Sequence, residues 1–245
     1  MIKDKVDNFL DYIFLEKKYS SNTFRAYKKD LNEFINFIDK ESINSLNDIK
    51  KKNIHEYLYF LSVKNLTSKT VSRKLASIKS FFNFLVKNQI VKNNVSKSIP
   101  SPKLDKRLPV FLNQDQISLL LKLEHTDDLV ELRNNLILEI FYSTGVRISE
   151  LVKIKIQDIK LNDNSISILG KGGKKRIVII GNYAKKKLQD YLSYSKVNSV
   201  GYLFNNVRKS SIGHISERNV FNIVKKYTAK VTNGALNPMF KTTPA

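Results

Sequence analysis

Tyr142-Ser143-Thr144-Gly145-Val146-Arg147-Ile148-Ser149-Glu150-Leu151 sets a single arginine just past a glycine, at the start of a segment that reads as a helix. Ile148, Leu151, Val152 and Ile154 supply that segment's apolar side. Glu150 follows Arg147 by three residues, so the two side chains share a helix face. A guanidinium held by a carboxylate presents its planar fork to a phosphate, which a lysine does less well. A surface ion pair at a helix start has the same spacing. The neighbouring sequence has to decide between the two.

Downstream, the apolar period changes. Asn164-Ser-Ile-Ser-Ile-Leu169 alternates, Gly170-Lys-Gly-Gly-Lys-Lys175 turns, and Arg176-Ile-Val-Ile-Ile180 continues as a β-branched strand. This is a hairpin with lysines and glycines at its tip. Helices are expected on either side of this region, over 113–123, 126–143, 184–194 and 216–230, with a basic, loop-like stretch over 205–213.

Residues 1–97 read as helical throughout. Apolar residues recur at helical spacing from Val6 to Tyr19, through Tyr27, Leu31, Phe34, Ile35 and Ile38, and over Asn53–Lys64. A fourth helix carries Val71, Leu75, Ile78, Phe81, Phe82 and Leu85. Ser20–Thr23 and Thr67-Ser68 are capping candidates. Lys69, Arg73, Lys74 and Lys79 are read as the outer face of the fourth helix, suited either to a phosphate backbone or to plain solvation. Pro100, Pro102 and Pro109 mark a basic, extended linker over 98–109, which leaves 110–245 as a second domain.

The chain has 43 Lys and Arg against 22 Asp and Glu, a formal net charge of +21. Residues 1–103 hold 20 basic and 10 acidic side chains, and residues 104–245 hold 23 and 12, so the excess is no detachable tail. Distributed positive charge implies a polyanionic partner, nucleic acid first. An AT-rich coding bias is the other source of so much lysine. With no cysteine, disulfides and thiolate metal sites are excluded, and His55, His125 and His214 lack metal-ligand spacing. No cofactor is expected. Neither a membrane span nor a signal peptide is visible, so a cytoplasmic protein without a membrane partner is expected.

Taken in order, these segments resemble the tyrosine recombinases, the Xer-type recombinases and phage-like integrases in particular. The resemblance runs over about 6–238. It rests on Leu10-Asp-Tyr, Glu16-Lys-Lys-Tyr-Ser, Asn22-Thr, Ala26-Tyr and Asp30-Leu, then on Arg73-Lys-Leu75 and Ile78-Lys-Ser-Phe81-Phe82. Pro102-Lys103, Leu108-Pro109, Ser143–Leu151 and Gly170-Lys-Gly172 complete it. It implies a mainly α fold with a small β-hairpin or sheet. A helical, SAM-like core-binding domain would precede an α+β catalytic domain, the two gripping double-stranded DNA as a C-shaped clamp. Homo- or hetero-oligomers, up to a recombinase tetramer on DNA, are implied as well.

In that family a tyrosine hydroxyl attacks a DNA phosphodiester, leaving a 3′-phosphotyrosyl bond and a free 5′-hydroxyl. Two arginines and His or Trp donors neutralise the transition state. A hairpin lysine protonates the leaving oxygen. The resemblance makes Arg147 the first catalytic arginine, Glu150 its supporting carboxylate and Lys171 the general acid.

The same resemblance implies a Pro-His-x-x-Arg-His-like box, a further His or Trp, and a late nucleophilic tyrosine. Leu236-Asn-Pro238 opens the box, but Met239-Phe-Lys-Thr-Thr-Pro-Ala245 follows it. In direct register Met239 replaces the histidine and Thr242 the second arginine; with one residue skipped, Lys241 takes the arginine's place. Tyr142 and Tyr227 read as packing residues, so no nucleophile is assigned. The expectation is a site-specific recombinase or integrase shortened by a frameshift, an early stop or an incomplete chain, and unable to cleave. The alternative is a non-catalytic DNA-binding competitor or regulator of a full-length relative. A catalytic domain lacking its last helices is expected to expose apolar surface and to be marginally stable.

Overall fold

Helices form where the apolar period is 3.6. In the first half these are α1 (Ile2–Asp11), α2 (Ser21–Lys40), α3 (Lys51–Val63) and α4 (Ser68–Lys87), and a capping side chain precedes α2 and α4. Ser20 caps α2 by accepting from the Thr23 amide at 3.2 Å, and Thr67 caps α4 by accepting from the Thr70 amide at 3.3 Å. Each such cap contributes about 1 kcal/mol. The computed structural model describes residues 2–103, 111–122, 128–170, 173–195, 201–205 and 213–232.

The chain divides into two units, Met1–Arg107 and Leu108–Ala245. In the first, Val71, Leu75, Ile78, Phe81, Phe82 and Leu85 of α4 are buried, as their spacing requires. They pack with Phe9, Leu31, Phe34, Ile38 and Tyr57 into one core. Ile99, read in the sequence as linker, is also part of that core, and Ile54 and Leu61 bring α3 into it. The expected helix over 6–19 is not continuous. It passes from α1 into a single π-turn at Tyr12–Glu16 and stops at Lys18, whose φ is +52°. The insertion of one residue per turn breaks the 3.6 period that the sequence pattern assumes.

The second unit contains α5 (Gln114–Leu121), α6 (Leu129–Thr144), α7 (Ile148–Leu151), α8 (Asn182–Ser195) and α9 (Glu217–Val231). Between α7 and α8 lie β1 (Ile159–Lys160), β2 (Ser165–Leu169) and β3 (Lys175–Ile179), an antiparallel sheet in that order. The two-residue β1 has too little pattern of its own to be read from sequence. Leu136, Ile137, Ile140, Leu151, Ile166, Ile168, Leu188, Phe204, Val220 and Val224 make the core. The fold is thus mainly helical with one small sheet. Among the described residues no helix is long and apolar enough to cross a membrane.

Two features of this unit aim the chain at the site. Gly145 ends α6 in the left-handed conformation, φ +61°, with its amide donating to the Phe141 carbonyl at 3.0 Å. Glycine reaches this conformation without the Cβ penalty, which turns the chain sharply toward Arg147. The sheet register then decides which way β3 faces. Ile166 pairs with Val178 and Ile168 with Arg176. Directly opposed residues share a sheet face, so Arg176 lies on the same side as the buried Ile166 and Ile168.

Candidate nucleic-acid interface

Arg147 immediately precedes α7, a helix of one turn only. Its backbone amide donates to Glu150 Oε2 at 2.9 Å, and its guanidinium Nη1 donates to Glu150 Oε1 at 3.0 Å. The pairing expected from the three-residue spacing is therefore made, but Arg147 is the extended residue before α7 and not part of a helix face. The Glu150 side chain is 4% exposed while that of Arg147 is 40% exposed. The carboxylate is inside, and the guanidinium crosses from it to the surface.

A second guanidinium meets the same carboxylate. Arg176 Nη1 donates to Glu150 Oε1 at 2.9 Å and Nη2 donates to Oε2 at 2.8 Å, a two-pronged pair. These bonds, foremost those from Arg176, hold the Glu150 carboxyl down at about 2 against the opposing effect of burial. The same pairing pushes the Arg176 guanidinium further up. In the sequence, Arg176 reads as ordinary strand. No local pattern marks it otherwise, because its facing is set by the register of β3 against β2.

Gly170 completes this arrangement. A Cβ placed there would lie 3.2 Å from Arg176 Nη1 and 3.2 Å from the Lys174 carbonyl. The absent side chain is the space through which Arg176 reaches Glu150. Lys171 and Gly172, the proposed general acid and its neighbour, lie outside the described residues, as do Leu236–Ala245 with the incomplete box.

In the first unit, Asp30 is fully buried and takes hydrogen bonds from the Arg73 guanidinium, from Lys74 Nζ at 3.3 Å and from Ser77 Oγ at 3.0 Å. Lys74 also donates to Glu33 at 2.8 Å. Lys74, expected on the outer face of α4, is instead 4% exposed. A buried carboxylate must be paired, and Lys74 points inward to do this. Lys79 is half-buried and donates to the Ile99 carbonyl at 2.6 Å, so its ammonium also turns back toward the protein. Lys69 is exposed, and the Arg73 side chain is 44% exposed beyond its bond to Asp30. Of the four basic residues, these two keep charge at the surface of α4.

The tyrosines separate in the same way. Tyr227 is buried and donates to Glu131; burial and that bond push its hydroxyl up to about 12. Tyr142 was read as packing, but it is 57% exposed. It lies two residues from the buried Ile140, hence on the opposite side of α6. Among the described residues, no group of three or more His, Cys, Asp or Glu could hold a metal ion.

The guanidinium anchored on a buried carboxylate, next to a glycine-lined hairpin, can now be set beside known proteins. Residues 6–89 match the description "Phage integrase, N-terminal SAM-like domain", and residues 110–238 match "Phage integrase family". The chain belongs to the phage integrase family of tyrosine recombinases. It is 34% identical over 230 residues to tyrosine recombinase XerC of Staphylococcus carnosus, covering 93% of this chain and 77% of the relative. It is 36% identical over 232 residues to XerC of Thermodesulfovibrio yellowstonii, covering 91% and 74%. With XerD of Oceanobacillus iheyensis the identity is 34% over 197 residues, covering 80% of this chain and 66% of that one.

Solved structures of this family of recombinases share the fold. XerH site-specific recombinase, bound to palindromic difH substrate, superposes with a TM-score of 0.68 at 22% identity, over 87% of this chain and 64% of that one. A lambda integrase tetramer bound to a Holliday junction gives 0.67 at 16% identity, over 98% and 70%.

Proposed function

We propose that this tyrosine recombinase binds double-stranded DNA through its two units and grips one phosphodiester with Arg147. The observation that carries the proposal is the Arg147–Glu150 pair: the carboxylate is buried and ionised, while the guanidinium it holds is partly exposed. Such a guanidinium keeps donors free for nonbridging phosphate oxygens, where charge gathers when the phosphorus is attacked. Lys69 and Arg73 extend the contact along the backbone from α4, and Lys171, by family resemblance, is the group that would protonate a departing 5′-oxygen in a complete active site. No cofactor takes part in this scheme. Oligomers on DNA, as in the lambda integrase tetramer, follow from the same reading.

No second arginine or nucleophile is assigned among these residues, so by themselves they are read as binding DNA without cutting it; the second reading is a non-catalytic competitor or regulator of a full-length relative. Neither Met239, Lys241 nor Thr242 supplies the second guanidinium. Tyr227 is a poor nucleophile, since its hydroxyl is buried, bonded to Glu131 and hard to ionise. Loss of one charge-stabilising donor costs about a hundred- to a thousandfold in rate.

Incubation with a nicked suicide duplex, followed by a denaturing gel, tests both parts when run beside a native shift assay. The expected result is salt-sensitive binding with no covalent band. A covalent band would overturn the reading of the chain as non-cleaving, and absence of duplex binding would overturn the reading as a whole.

A further inference from the structure

We infer that Arg176 is the positioning residue of this site, holding Glu150 in place so that Arg147 is aimed at the phosphate. The inference rests on the reading of Arg147 as a phosphate contact and goes beyond it to the second arginine.

The geometry divides the labour between the two guanidiniums. Arg176 places both terminal nitrogens on the two oxygens of Glu150, at 2.9 and 2.8 Å. Among the described residues Arg147 commits only Nη1 of its guanidinium to that carboxylate, at 3.0 Å, and leaves the remaining donors available. One arginine thus spends its fork inward, and the other keeps most of its fork for a ligand.

The carboxylate cannot hold Arg147 alone. Glu150 sits on a four-residue helix, too short to lock its own side chain by repeated turns. Its side chain is almost fully removed from water, where a single charge partner is a weak substitute for solvation. Arg176 comes from the sheet, 26 residues later in the chain, and ties α7 to β3 at this one carboxylate. Its strand register aims it there, with Ile168 as its cross-strand partner. Gly170 leaves the passage open, since any Cβ would crowd Arg176 Nη1. Register, a missing side chain and a two-pronged bond all converge on the same carboxylate. An arginine serving only as surface charge needs none of these.

A positioning role differs measurably from a second phosphate contact. The affinity of the full chain for duplex DNA of mixed sequence is measured against salt for Arg147→Gln, Arg176→Gln and the double variant. Each phosphate contact contributes about 0.9 to the slope of log affinity against log salt. Arg147→Gln is expected to lower the slope by about 0.9, Arg176→Gln by a similar amount, and the double variant by no more than Arg147→Gln alone. A double variant lower by about 1.8 would mean that Arg176 touches phosphate itself, and the inference falls.

An unchanged slope for Arg176→Gln, with the Arg147→Gln effect intact, also overturns it while leaving the proposed function standing. An unchanged slope for Arg147→Gln strikes the proposed function, and this inference falls with it. Where Arg176→Gln does not fold, as read by far-ultraviolet circular dichroism, Glu150→Gln and Glu150→Gln/Arg176→Gln replace it, because the buried charge is then gone from both. Equal slopes for that pair support the positioning role, and a further drop of about 0.9 overturns it.

Discussion

Ile168 and Arg176 oppose each other across the β2–β3 ladder, so an arginine occupies a position where the sheet otherwise turns apolar residues to the core. Val178 and Ile166, the next pair on that face, behave as the alternation requires. Ile177 and Ile179, on the other face of β3, are 68% and 65% exposed. Arg176 is the polar exception on the core-side face of β3, and the partner that accounts for it is Glu150.

Gly170→Ala tests the room that Arg176 needs. The added methyl meets a guanidinium nitrogen and a backbone carbonyl at 3.2 Å, and only the first of these moves easily. We expect a loss of about 1–2 kcal/mol in denaturant unfolding of the second unit. Duplex affinity should fall with it; full stability and full affinity would show that Arg176 reaches Glu150 without this gap.

Glu150 makes stability depend on pH in a defined window. Its carboxyl is held at about 2 when folded and returns to the ordinary 4.5 when unfolded. Unfolded chains then bind the proton more readily than folded ones. The stabilisation is complete above 4.5 and is lost as the pH falls through about 2. At neutral pH it is on the order of 3 kcal/mol. Urea melts of wild type and Glu150→Gln should differ by about that much at pH 7 and converge at the acid end; a gap that stays constant with pH would refute the assignment.

Lys69 and Lys74, on the same helix, should separate cleanly. Lys74→Ala takes a buried cation from Asp30 and Glu33, leaving Asp30 with Arg73 and Ser77; we expect a loss of about 2–4 kcal/mol with no change in the salt slope of DNA binding. Lys69→Ala should leave the melt within about 0.5 kcal/mol and lower the slope by about 0.9. Thermal melts and a salt titration on both variants decide it. The reverse pattern would mean that Lys74 swings outward on DNA.

Gly145→Ala isolates backbone strain, since no atom lies within 4 Å of the added Cβ while φ is +61°. A cost of about 1 kcal/mol is expected from the left-handed conformation alone. The melting temperature should fall by a few degrees, and a neutral result would mean that α6 ends equally well without its left-handed residue.

Much of the fold was legible from local pattern. Ser20 and Thr67 announce their helices, the apolar stripe of α4 is spaced as it packs, and Arg147 with Glu150 met as three-residue spacing requires. What could not be read depends on partners distant in the chain. Lys74 looks like any surface lysine until Asp30, 44 residues earlier, is placed beside it. Arg176 looks outward until the register with Ile168 is known, because a shift of one residue reverses the face. The π-turn at Tyr12–Glu16 carries no sequence signature of its own, and neither does the one-turn length of α7.

The buried acids also change how tolerant this chain is of substitution. Basic residues outnumber acidic ones by 43 to 22, so the loss of any one surface lysine leaves many equivalents. Asp30, Glu139 and Glu150 have no such redundancy: each is buried and each anchors a cation, Lys187 in the case of Glu139. Drift in exposed surface lysines alters how strongly the protein clings to any polyanion. A change at one of these three carboxylates instead releases cations that were held in fixed directions, and the molecule loses its aim before it loses its charge.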